Sequence, residues 1–212
     1  MSKILHYVFD PLCGWCYGAS ATVSALSENP GIQLRLLPSG LFSGEGARSM
    51  DEGFASYAWA NDQRIASLTG QTFSERYRSG VLADRQQVFD SGPATLALSA
   101  VALTAPQREL DALKAIQRAR YVDGLDVTRA DTLATVLKAL GLDEAAARMA
   151  MPDAQLRQAN HARIDQAQAL LQTFGARGVP AFILEEDGRR ELLQTSSVYS
   201  DPQAFVDQFA TA

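Results

Sequence analysis

The chain has 212 residues, 47% apolar and 20% charged, with 19 basic against 24 acidic side chains and a formal net charge of −5. That is ordinary globular material with enough core to fold unaided, and its mild acidity excludes a dedicated nucleic-acid binder or a protein drawn to anionic membranes. No run approaches the roughly 18 apolar residues of a membrane span, and two cysteines in one motif make no disulfide framework.

Met1-Ser2-Lys3 leads directly into an apolar run, Ile4 to Phe9, that reads as a short buried strand. No basic and apolar signal segment precedes it, so the expected location is cytoplasmic. Phe9-Asp10-Pro11-Leu12-Cys13-Gly14-Trp15-Cys16-Tyr17 follows, and then Ala19 to Leu26, which reads as a helix. Two cysteines three apart at a helix start share one face, with Cα atoms about 5 to 6 Å apart, a separation a disulfide tolerates. The free N–H groups and positive dipole end of a helix start favour a charged thiolate. A cross-link closing so small a loop constrains little. The pair therefore reads as a dithiol that opens and closes as a disulfide.

Asn29-Pro30-Gly31 is a turn, after which Ile32, Leu34 and Leu36 alternate with Gln33 and Arg35 as in a half-exposed edge strand ending at Pro38-Ser39-Gly40. Strand–helix–strand implies a parallel, right-handed crossover. Residues 45 to 152 read as a helical bundle without a convincing strand. Residues 50 to 80 mix Phe54, Tyr57, Trp59, Phe73 and Tyr77 with charges, and Thr69-Gly70 looks like a helix end. Ser91-Gly92-Pro93 opens a helix carrying Leu96, Ala100 and Leu103, and Leu110, Leu113, Ile116 and Ala119 continue to Tyr121. Thr128-Arg129-Ala130-Asp131 resembles a capping box ahead of Leu133, Val136, Leu137 and Leu140, with Gly141 as the stop. A long helix is expected from Asp153 to Phe174, stopped by Gly175. Gly178-Val179-Pro180 precedes a strand from Ala181 to Glu185, and Asp187-Gly188 turns it into a second, Glu191 to Gln194. Asp201-Pro202 caps a last helix with Phe205, Val206 and Phe209.

A strand–helix–strand head, a Cys-x-x-Cys at the first helix start, and a strand–strand–helix tail opened by Gly178-Val179-Pro180 resemble the DsbA-like thioredoxin superfamily. The expected class is α/β, a thioredoxin fold with a large inserted all-helical domain. Its first part would be residues 1–44, the insert 45–152 and the second part 153–212. Within that superfamily, Asp10 to Tyr17, Tyr121-Val122-Asp123-Gly124-Leu125-Asp126-Val127 and Ala139-Leu140-Gly141-Leu142-Asp143 resemble a cytoplasmic branch described as disulfide isomerases.

The resemblance implies that Cys13 is the exposed nucleophile and Cys16 the buried resolving thiol. It implies that Pro180 is a cis-proline facing them, and that Val179 offers its backbone to an extended substrate. The activity implied is thiol–disulfide oxidoreduction or isomerisation, with no cofactor beyond the Cys13–Cys16 disulfide. Partners would be disulfide-containing proteins or small thiols such as glutathione, with no nucleic acid and no membrane. The oligomeric state is left open. Exchange chemistry agrees, since it needs a thiolate to attack and a second thiol to break the mixed disulfide.

Two departures stand out. Thioredoxins and DsbA proteins carry a buried acid six residues before the nucleophile, where this chain has Tyr7, so the proton acceptor is another group or water, with Asp10 and His6 as the candidates. Gly14-Trp15 also lacks the histidine that DsbA and protein disulfide isomerase carry between the cysteines. Trp15 and Tyr17 read either as a hydrophobic docking surface beside the sulfur, the reading preferred for Trp15, or as ordinary packing. Two alternatives are a metal module built from Cys13, Cys16, His6 and His161 and a glutathione-dependent transferase or isomerase of the kappa type. The latter has no need of Cys16.

Overall fold

The computed structural model describes residues 3–209. β1 (Lys3–Phe9) is an inner strand of a four-stranded sheet in the order β2-β1-β5-β6, with β2 (Ile32–Pro38), β5 (Ala181–Glu186) and β6 (Arg189–Leu192). β1 runs parallel to β2, with Tyr7 opposite Leu36, and antiparallel to β5, with Tyr7 opposite Phe182. β5 turns into β6 through Asp187-Gly188, and β6 begins two residues earlier than the alternation predicts. The class is the expected one, an α/β thioredoxin fold carrying inserted helices.

Strand alternation divides the sheet chemically. Leu5, Tyr7, Phe9 and Phe182 face the larger core, whereas Val8, Leu37, Ala181 and Ile183 face a smaller one closed by Ala167 and Leu170 of α8 (Ala154–Thr173). Tyr7 stacks between Phe9 and Phe182, with centroids 5.1 and 5.0 Å away. Phe205 of α10 (Pro202–Asp207) packs edge-on to Phe182. Asp153 and Asp201 cap their helices as expected, accepting from the N–H groups of Leu156 and Ala204.

The segment after Cys13 is two helices, not one. α1 (Gly14–Gly18) stops at Ala19, and α2 (Ser20–Ser27) resumes beyond it. Glycines at i and i+4 give α1 a bare flank, against which α3 (Glu52–Thr69) lies. A Cβ on Gly14 would stand 2.5 Å from Asp62 Oδ1, and one on Gly18 would stand 2.6 Å from Ile65 Cγ2. Only glycine permits that approach.

Between β2 and α8 lie α3, α4 (Gly92–Thr104), α5 (Glu109–Tyr121), α6 (Ala130–Ala139) and α7 (Asp143–Ala150), with a wide π turn at Tyr77–Leu82. Contrary to the strandless reading, β3 (Arg48–Ser49) and β4 (Val88–Phe89) pair antiparallel there. Two residues give no alternation to read. The expected capping box does not form: Thr128 Oγ1 donates to Asp126, and Asp131 pairs with Arg129. Arg163 of α8 ties the inserted helices to the sheet, donating to Glu109, to Ser99 Oγ at 3.2 Å and to the Leu36 carbonyl at 2.9 Å. α9 (Ser197–Ser200) precedes α10 and presents Tyr199 to α1, whose Trp15 carbonyl accepts from the tyrosine hydroxyl at 3.2 Å. Among the described residues, no helix is long and apolar enough to cross a membrane.

Candidate active site

Cys13 caps α1 in an extended conformation, with its N–H on the Asp10 carbonyl. Both cysteines are free thiols. Cys13 is 7% exposed, more enclosed than an open nucleophile, and Cys16 is 1% exposed. Cys13 still fronts a cleft of about 140 Å³ with Gly14 and Trp15, which Cys16 does not line. The Cys13 thiol donates to the Val179 carbonyl at 3.6 Å, and the Val179–Pro180 bond is cis. Burial pushes the Cys16 thiol well up, and its hydrogen bond and charge interaction with Cys13 push it the same way. Cys16 is therefore held as a neutral thiol under its partner.

Tyr7 stands six residues before Cys13. Its hydroxyl donates to the Cys16 carbonyl at 3.2 Å, and burial pushes its ionisation well above the ordinary tyrosine range. It braces α1 and supplies no charge there.

Neither expected proton carrier hydrogen-bonds a cysteine through its side chain, although the Asp10 charge helps to push the Cys16 thiol up. Asp10 is fully buried, with Oδ1 accepting from Leu12 N–H at 2.9 Å and Oδ2 from Phe42 N–H at 3.2 Å and Ser91 Oγ at 2.7 Å. Burial raises its pKa while these three donors lower it. Asp10 knots the loop before Cys13 to the segment after β2, at Phe42, and to the inserted helices, at Ser91. His6 lies on the sheet face opposite Tyr7, with Nε2 3.1 Å from Glu185 Oε2. Period-two alternation turns it away from the cysteines.

Trp15 is half-buried at the cleft, edge-on to Tyr199 at 5.1 Å, with the Arg64 guanidinium 5.8 Å from its ring. Tyr17 departs from the docking expectation. Its ring stacks on Tyr121 at 4.7 Å, its edge meets Phe73, and its hydroxyl is spent on the Thr72 carbonyl at 3.2 Å. It is core, because the helix turns it one step away from the cleft.

The wall facing the cysteines comes from the inserted helices, and none of its polar residues was among the sequence candidates. Tyr121 donates to the Leu12 carbonyl at 2.7 Å, fixing the residue before the nucleophile. Asp62, 4% exposed, lines the cleft with Oδ2 accepting from Tyr77 Oη at 2.9 Å. Burial pushes its pKa up to about 7, opposed by the Tyr77 bond and by Arg120. The Arg120 guanidinium is sealed among Phe89, Tyr77 and Tyr121 at 5.2, 5.4 and 5.7 Å from their centroids. The available signal was helical phase. Asp62 falls on the α3 stripe of Ala55, Ala58 and Ile65, and Arg120 lies one turn beyond Ile116 on the buried face of α5. A charge inside an apolar stripe is costly, which makes it informative.

His161 lies exposed on α8, and among the described residues no three His, Cys, Asp or Glu side chains converge as a metal site. The alternative ligand set of Cys13, Cys16, His6 and His161 is not assembled. What the geometry can do is thiol–disulfide exchange, with one thiol at a cleft, a second behind it and a carbonyl against the first.

Comparison with known proteins agrees. The family model described as a DSBA-like thioredoxin domain matches residues 4–208. The cytosolic disulfide reductase DsbM from Pseudomonas aeruginosa is 36% identical over 97% of this chain and 96% of that one, with a TM-score of 0.87. Its structure with GSH matches at 34% identity over 97% and 96% of the two chains, with a TM-score of 0.84. A candidate protein disulfide isomerase from Nitrosomonas europaea shares the fold at 21% identity, 99% and 96% coverage and a TM-score of 0.81. No curated protein matches at a significant level. Inserted helices, paired thiols and family match coincide, and the chain belongs to the DsbA-like thioredoxin family.

Proposed function

We propose that this chain is a thiol–disulfide oxidoreductase of the reducing or isomerising kind, working in a reducing compartment such as the cytoplasm. Cys13 attacks a substrate disulfide, the mixed disulfide forms on Cys13, and Cys16 resolves it. The observation that carries the reading is the pairing of Cys13 at the cleft with the Val179 carbonyl at 3.6 Å, while Cys16 stays buried behind it. An extended substrate strand would lie along Val179 and Pro180, with Trp15 at its side. The match to a cytosolic disulfide reductase supports reduction, and the form of that protein solved with GSH supports glutathione as a small thiol partner. No further cofactor enters the scheme.

Equilibration with a glutathione redox buffer tests it. Thioredoxin lies at about −270 mV, protein disulfide isomerase at about −180 mV and DsbA at about −120 mV, and a reductase or isomerase belongs at or below about −180 mV. A potential as oxidising as DsbA would make the chain a disulfide donor instead. Cys13→Ser is expected to abolish disulfide reduction, and Cys16→Ser to accumulate the mixed disulfide on Cys13.

A further inference from the structure

Granted the exchange chemistry proposed above, on which this rests, we propose that the Asp62 carboxyl is the acid that protonates the departing substrate sulfur. Asp62 reaches the site from α3, and its two oxygens have different surroundings. Oδ2 accepts from Tyr77 Oη. Oδ1 has no side-chain hydrogen bond among the described residues and presses on Gly14, the neighbour of the nucleophile, where a Cβ would stand 2.5 Å away. Asp62 and Cys13 front the same cleft, whose remaining walls include Trp15, Phe54 and Ile65. The thiol of Cys13 meets the Val179 carbonyl, so that carbonyl also flanks any disulfide brought to the sulfur. In-line attack sends the leaving sulfur away from Cys13 into the cleft, and among the described residues Asp62 is the one carboxyl lining it.

The groups facing Asp62 set its state. Tyr77 from the π turn donates to it, Arg120 from α5 lies behind, and Cys13 and Tyr121 border the same space. Burial outweighs the Tyr77 bond and the Arg120 charge, so the carboxyl still holds a proton up to about pH 7. A neutral carboxyl also spares the cleft a negative charge while a thiolate attacks.

The step balances. The Cys13 thiolate forms a bond to one substrate sulfur as the substrate S–S bond breaks. The electron pair stays on the other sulfur, which takes the Asp62 proton and leaves as a thiol. Solvent returns a proton to Asp62. Cys16 then forms its bond to Cys13, and the second substrate sulfur departs through the same cleft and is protonated there. The two electrons of the dithiol end on two substrate thiols, and the two protons lost by Cys13 and Cys16 balance those gained.

The test is single-turnover oxidation of the reduced protein by two uncharged disulfides. Hydroxyethyl disulfide releases an alkyl thiolate that needs a proton on sulfur, whereas dithiodipyridine releases a delocalised pyridinethiolate that departs without one and takes its proton on nitrogen from solvent afterwards. Near pH 6, Asp62→Asn is expected to slow the alkyl reaction roughly a hundredfold, the low end for a positioned proton donor, and the aryl reaction less than about twofold. The advantage of the native protein on the alkyl disulfide must fade as pH rises through about 7. Equal slowing of both reactions, or slowing of neither, overturns the assignment. If Asp62→Asn does not fold, Tyr77→Phe keeps the carboxyl and removes a hydrogen bond to its charged form, so the fade must move to higher pH; a fade that stays in place overturns it equally. Cys13→Ser must lose both reactions. Retention there would sink the exchange reading itself, a result separate from either Asp62 outcome.

Discussion

Asp62→Asn carries a consequence for stability that is independent of any substrate. The folded carboxyl titrates at about 7 against an ordinary value of 3.8. Between those values the folded protein binds more protons than the unfolded chain, so stability falls as pH rises through that window and stays low above it. About three pKa units at 1.36 kcal/mol each set a ceiling near 4 kcal/mol, of which about 3 kcal/mol is lost between pH 5 and pH 8. Asparagine keeps the shape and cannot ionise. Relative to the native protein, the variant should therefore gain about 3 kcal/mol on going from pH 5 to pH 8. In urea unfolding under reductant, that is a relative midpoint shift on the order of 1 M. Asp10 and Glu109, whose carboxyls burial also pushes up, remain in both proteins and cancel in the difference. A midpoint difference that is the same at both pH values would refute the reasoning.

Tyr121→Phe removes the hydroxyl that holds the Leu12 carbonyl at 2.7 Å and should lower unfolding stability by about 1 to 3 kcal/mol, since it leaves a buried carbonyl unpaired. Gly14→Ala places a methyl 2.5 Å from Asp62 Oδ1, and urea unfolding should show an overpacking loss of about 1 to 3 kcal/mol. Asp10→Asn replaces one of two acceptor oxygens with an amide donor beside N–H and O–H groups. It should cost about 2 to 3 kcal/mol in the same assay, while Cys13 remains alkylable, because Asp10 organises the loop. A variant as stable as the native protein would remove that assignment.

Sequence reasoning succeeded where the signal is local. β1, the turn at Asp187-Gly188, the Gly70 and Gly175 stops and the long α8 each follow from a few adjacent residues. The cysteine pair and Val179–Pro180 are local motifs too, though their meeting is a tertiary fact. Asp62, Tyr121 and Arg120 stayed hidden because their partners, Gly14, Leu12 and an aromatic cage, lie far along the chain. Ser91 marks the start of α4 as expected, but the bond from its hydroxyl to Asp10 is a tertiary fact of the same kind. The break at Ala19 has only Gly18 to announce it, and no proline. It follows α1 being held between Tyr7 below and α3 beside.

The order of the strands in the sheet has a consequence in time. β1 gains its parallel neighbour β2 almost at once during synthesis, but its other neighbour, β5, is encoded far downstream. At about 5 to 20 residues per second, the roughly 170 intervening residues take on the order of 10 to 30 s to be made. Throughout that interval the newborn chain carries both thiols without the Val179 carbonyl that later meets Cys13. The first long-range cover for the pair is α3, which emerges early and seats on the bare flank at Gly14 and Gly18. Of the elements that pack around the cysteine helix, the inserted α3 is thus made well before the strand that follows the Val179 carbonyl.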